Sequence, residues 1–147
     1  LVRNKHKLKK IIKKIKKKKI RISLFINPSL KDIQISKDLN TDCVEIHTGK
    51  FSNLIKSNRN YKNEFEKIKN CSVIASKLGI EVHAGHGLDY KSTKLLSKIK
   101  EIKEFNIGHY IIGESVFFGI KKVIKKFKSI IKGWNEDPWN WCWYYRK

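Results

Sequence analysis

The sequence predicts an α/β fold built on a parallel sheet, and three observations carry that reading. Four short runs rich in β-branched and other apolar residues lie along the chain, at 21–27, 42–47, 80–83 and 104–107. Each is followed by a stretch whose apolar residues recur at helical spacing, the pattern of parallel strands joined by helical crossovers. No run of roughly 18 or more apolar residues interrupts them, and 147 residues suffice for one domain with its own core.

Residues 8–19 come first. Leu8, Ile11, Ile12 and Ile15 form a stripe at helical spacing and lysines fill most other positions. One basic amphipathic helix is expected, its stripe on the sheet and its lysines in solvent. The first strand, Arg-Ile-Ser-Leu-Phe-Ile-Asn at 21–27, stops at Pro28. Ser29 can then cap a helix in which Leu30, Ile33 and Leu39 face inward. The second strand, Asp-Cys-Val-Glu-Ile-His at 42–47, leads into Thr48-Gly49 and a polar loop. Its Glu45 stands among apolar neighbours and must be paired or put to use, because desolvating a lone carboxylate is costly.

Residues 61–78 predict a longer helix with Phe65, Ile68, Cys71 or Ser72, and Ala75 on one side and Gly79 as its stop. The third strand, beginning at Ile80, runs into His-Ala-Gly-His-Gly-Leu at 83–88, and a short helix follows near 92–99. The fourth, Glu-Phe-Asn-Ile at 104–107, passes through Gly108-His109 into an apolar helix over 110–118. A final helix over 119–131 carries Ile120, Val123, Ile124, Phe127 and Ile131.

Composition narrows the function. The net charge of +21, from 34 basic and 13 acidic residues, raises nucleic acid or an anionic membrane surface as a partner. The basic residues are spread along the chain instead of gathered into one recognition element, and Lys, Ile and Asn are abundant throughout, as an AT-rich genome would produce. No specific nucleic-acid partner and no membrane partner are therefore expected, and a basic nucleic-acid or membrane-surface binding module stands as the alternative. Small phosphorylated substrates would still feel the positive field. The 3 cysteines are odd in number and lack CxxC spacing, which opposes a disulfide framework or a thiolate zinc site and fits a reducing cytoplasm. The N-terminus is too basic for an ordinary signal peptide. There is no Met anywhere, even at position 1, and a fragment is expected on that ground.

In parallel sheets, open or closed into a barrel, ligands gather at the carboxyl ends of the strands. Glu45, His47, His86, Gly108 and His109 all fall at or near those ends. Gly85 and Gly87 flank His86, so the backbone can turn sharply there and the imidazole can face a ligand, as a general acid would. The bland alternative is a turn that collects glycine for conformational reasons. Gly108-His109 opens a helix, where free amides and the helix dipole favour a phosphate; a tight turn capped by His109 is the competing reading. His83 and His86, three apart, with His47, His109 and Cys43, contain metal-ligand types. Strand alternation sends His83 and a residue three further on to opposite faces, so no metal site is expected.

Four motifs then carry a resemblance. Arg-Ile-Ser-Leu-Phe-Ile-Asn-Pro at 21–28, Val-Glu-Ile-His-Thr-Gly at 44–49, His-Ala-Gly-His-Gly-Leu at 83–88 and Glu-Phe-Asn-Ile-Gly-His at 104–109 closely resemble, in order and separation, the C-terminal half of the pyridoxine 5'-phosphate synthase family. The resemblance covers about residues 8–131. It implies a (β/α)8 TIM barrel of which this chain holds the last four strand-helix units. It also implies condensation of 1-deoxy-D-xylulose 5-phosphate with 3-amino-1-hydroxyacetone 1-phosphate to pyridoxine 5'-phosphate, phosphate and water, with no metal or organic cofactor. By the same resemblance His86 is the proton donor, Glu45 the transition-state stabiliser, and Gly87, Gly108 and His109 bind the aminoketone phosphate. The family's general bases, a His and a Glu, would lie on the four strands that precede this half, and the complete barrel would be a homo-oligomer.

The domain is expected to span 1–132. Residues 133–147 contain all 4 tryptophans and lie outside the resemblance, which predicts an added or out-of-frame tail; a membrane-interface anchor or a subunit contact are the alternatives.

Overall fold

The computed structural model of the chain describes residues 4–132. Helix α1 (Lys5–Lys16) leads into β1 (Ser23–Ile26), α2 (Leu30–Asp38), β2 (Cys43–His47), α3 (Gly49–Lys56), α4 (Lys62–Lys77), β3 (Glu81–Gly85), α5 (Tyr90–Leu96), β4 (Ile102–Asn106), α6 (His109–Phe118) and α7 (Ile120–Lys132). The four strands are all parallel and lie side by side in chain order. An open doubly wound sheet reverses its strand order at a switch point. No reversal occurs among the described strands, so this is the winding of one half of a (β/α)8 barrel, as expected.

Alternation along the strands divides the sheet into two chemically different faces. Ile26, Val44, Ile46, Val82, Ala84 and Ile102 join Ile33 of α2, Phe51 and Ile55 of α3, Ile68, Cys71 and Ala75 of α4, and Leu96 of α5 in one buried core. Each fully buried Ile or Phe contributes about 1.5–3 kcal/mol by leaving water. The register places Phe25 beside Glu45, Glu45 beside His83 and His83 beside Glu104, so the opposite face carries polar and titratable groups. That face is the interior of the half barrel.

Helix α1 buries Ile12 against Ile35 and Leu39, with Leu8, Ile22 and Leu24 around them. Its stripe therefore packs chiefly on α2 and the start of β1. Asp42 fastens this corner: its carboxylate accepts from the Ile22 amide at 2.8 Å and from Lys16 Nζ at 3.0 Å. Burial pushes the Asp42 carboxyl up, but those donors outweigh it and hold the group below its ordinary range.

Several boundaries differ from expectation. The polar loop after Thr48-Gly49 is helix α3, because Phe51 and Ile55, one turn apart, both reach the core. Ser29 occupies the cap position of α2 with an extended backbone, yet its side chain makes no capping bond, and Leu30 is exposed. Helix α5 starts at Tyr90, where Asp89 and Ser92 form a reciprocal capping box. Strand β4 begins two residues early, at Ile102, and an irregularity at Val82/His83 absorbs the offset against β3. The tail at 133–147 lies outside the described residues.

Candidate active site

At their carboxyl ends β2, β3 and β4 stop at His47, Gly85 and Asn106. Glu45 and His47 share a face of β2, and Gly85 lies opposite His47 on β3. Gly85 has a spatial role. A Cβ there would collide with the Glu45 carboxylate and lie 3.0 Å from the Asn106 Cβ. The Glu45 side chain therefore crosses β3 over this gap and accepts a hydrogen bond from Asn106 Nδ2 at 2.8 Å. The partner that the half-buried Glu45 required is thus on β4, 61 residues away.

The sharp turn after β3 is made by His86 and Gly87, with φ of 77° and 76°. Gly85 is not among the left-handed residues, so of the two glycines flanking His86 only Gly87 supplies a positive φ. A left-handed histidine costs about 1–2 kcal/mol of backbone strain. Its imidazole is exposed at the rim, stacked on His47 with ring centroids 4.5 Å apart. Burial pushes the His47 imidazole below its ordinary pKa, His86 adds to the effect, and Glu45 partly opposes it. Phe25 of β1 stands 5.2 Å from His47 and 6.2 Å from His86, closing the corner.

Gly108 precedes α6 without a side-chain cap, and His109 is the first helical residue. The first-turn amides of a helix have no intrahelical acceptor and carry the positive end of its dipole. Nothing lies within 4 Å of where a Gly108 Cβ would be, so a ligand can approach the main chain. Glu45, His86, Gly87, Asn106, Gly108 and His109 all line one open pocket of about 720 Å³. Every residue singled out for catalysis or phosphate binding is brought to it. His47 adjoins it through His86. Asn106 was missed; it stands in the Phe-Asn-Ile-Gly-His motif at the end of a strand, and that position was the available signal.

One layer deeper, Arg21 Nη2 lies 3.1 Å from Cys43 Sγ and 3.0 Å from Glu81. His83, buried, is 2.8 Å from Glu81 and 3.8 Å from Glu104. His83 and His86 do not converge: among the described residues, the metal-type donors that come within 4.8 Å of one another are Cys43, Glu81 and His83. Two of these three already face the Arg21 guanidinium, whose charge a cation would have to displace. No helix of the described residues is long and apolar enough to cross a membrane.

A family model described as pyridoxal phosphate biosynthesis protein PdxJ matches residues 1–133. The pyridoxine 5'-phosphate synthase of Pelagibacter ubique is 67% identical over 130 residues, covering 88% of this chain and 54% of that protein. Those of Sulfurihydrogenibium sp. and Campylobacter fetus are 44% and 37% identical, over 84% and 85% of this chain and 50% and 57% of theirs. The chain spans about half the length of these relatives.

Proposed function

The chain belongs to the pyridoxal phosphate biosynthesis protein PdxJ family, and on that premise we propose that it forms the acid- and phosphate-binding half of a pyridoxine 5'-phosphate synthase. The observation that carries this reading is the convergence of Glu45, His86 and the uncapped start of α6 on one pocket. The proposed reaction joins 1-deoxy-D-xylulose 5-phosphate to 3-amino-1-hydroxyacetone 1-phosphate. His86 delivers a proton to a departing oxygen, since an imidazole holds an exchangeable proton near neutral pH. Glu45, oriented by Asn106, is a fixed negative charge beside developing cationic centres. The amides of Gly87, Gly108 and His109 grip the aminoketone phosphate.

In this proposal acid-base chemistry suffices, without a metal or organic cofactor, and the general bases come from the complementary half of the barrel. The functional domain is residues 1–132, the Trp-rich 133–147 lie outside it, and the complete barrel is a homo-oligomer working in the cytoplasm.

The test uses a barrel that joins residues 1–132 to the complementary half of the Pelagibacter ubique relative. His86→Ala should lower product formation by about 10²–10⁴-fold with little change in substrate binding. A nucleic-acid or lipid-binding module would ignore His86 and lose affinity steeply with salt. Undiminished turnover in the His86→Ala barrel would remove the proposed acid.

A further inference from the structure

We propose that His47-Thr48-Gly49, at the junction of β2 and α3, is a cradle that positions the His86 imidazole. The inference rests on the reading of His86 as the acid, and each residue of the tripeptide supplies a different constraint. Thr48 acts on the backbone. It is fully buried, and its Oγ1 lies 2.7 Å from the Gly85 carbonyl and 2.8 Å from the His86 carbonyl, while its own amide donates to the Gly85 carbonyl at 2.8 Å. Both carbonyls that bracket the left-handed His86 thus lie within hydrogen-bond reach of one hydroxyl, just beyond the end of the neighbouring strand. Such strain persists only where the surroundings over-determine the conformation.

Gly49 acts on space. A Cβ at this position would stand 2.7 Å from His47 Cε1 and 2.8 Å from His86 Cδ2. Its φ is not in the left-handed region, so backbone conformation does not call for glycine here. What calls for it is the pair of rings directly above. His47 acts on the ring itself: the planes are inclined by only 27°, so the imidazoles lie face to face. Burial, with His86 beside it, lowers the His47 pKa, which disfavours a charge on His47 within the stack. Together the three residues fix the backbone, the floor and one side of a group that is otherwise exposed.

In the barrel defined above, Thr48→Val keeps the shape of the side chain and removes the hydroxyl. It should lower kcat by about ten- to 100-fold, the effect of a displacement on the order of 1 Å, with KM changed less than about twofold. Thr48→Ser should restore most of the loss, which a purely volumetric role would not. His47→Leu should lower kcat and His47→Phe, which can still stack, should largely recover it. A crystal structure of the Thr48→Val barrel should show the His86 imidazole displaced. An unmoved imidazole, or kcat unchanged in both Thr48→Val and His47→Leu, overturns the cradle. If His86→Ala keeps full turnover, the proposed acid is lost instead, and the position of the imidazole in the Thr48→Val crystal alone then decides whether the cradle stands.

Discussion

Gly85 and Gly108 both stand at or just beyond a strand end, yet a methyl group would be felt very differently at the two positions. At Gly85 it would occupy the space through which the Glu45 carboxylate reaches Asn106; at Gly108 it would meet nothing. Gly85→Ala should therefore dislodge Glu45 and lower kcat about tenfold or more. Gly108→Ala should leave stability within about 1 kcal/mol but raise KM for the aminoketone phosphate proposed to bind there, because its methyl would intrude only on a ligand. Steady-state kinetics and urea midpoints of the joined barrel check both, and equal effects at the two glycines would refute the distinction. The residues legible from sequence were those whose chemistry shows in their side chains. His86 and Glu45 are titratable groups at or near strand ends, which is enough to single them out. The space at Gly85 and the reach of Asn106 are properties of three adjacent strands, and no local pattern encodes them.

Among the elements, the strands were legible because apolar runs bounded by Gly, Pro and polar residues have few other uses. Helix α3 was not. It begins within Thr48-Gly49, which has turn composition, and spans only 8 residues, with Ser52 and Asn53 between Phe51 and Leu54 and a lysine at either side. Tertiary packing makes it a helix: Phe51 is wholly buried and meets Tyr61 edge-on at 5.6 Å. This short element also matters to the site, since its first turn holds Gly49 and is preceded by Thr48. Phe51→Ala should destabilise the domain by about 3–5 kcal/mol, seen as a lower urea midpoint with the slope unchanged. A loss below about 1 kcal/mol would mean that α3 does not anchor this end of the core.

On the scale of the whole molecule, four parallel strands in chain order leave β1 and β4 as edges of an open sheet. Helix α6 buries none of its residues and exposes Ile112, Val116, Phe117 and Phe118. Unpaired edges and contiguous apolar surface both drive association. A net charge of +21 opposes it, and that repulsion is long-ranged only at low ionic strength. The screening length falls from about 30 Å at 0.01 M salt to about 3 Å at 1 M, whereas the apolar attraction does not weaken. The isolated 147-residue polypeptide should therefore sediment as small species at low salt and as larger ones as salt rises. It should show no synthase turnover at either extreme, because in the proposed assignment this half supplies the acid and the complementary half the bases. Adding the complementary half of a relative as a separate chain should suppress the salt-induced association by pairing both edges and covering α6, and turnover should appear in the same mixture. Sedimentation velocity and product assay on the same samples would decide it: turnover by the isolated chain, or association that falls as salt is added, is incompatible with an acid-bearing half barrel held apart by its own charge.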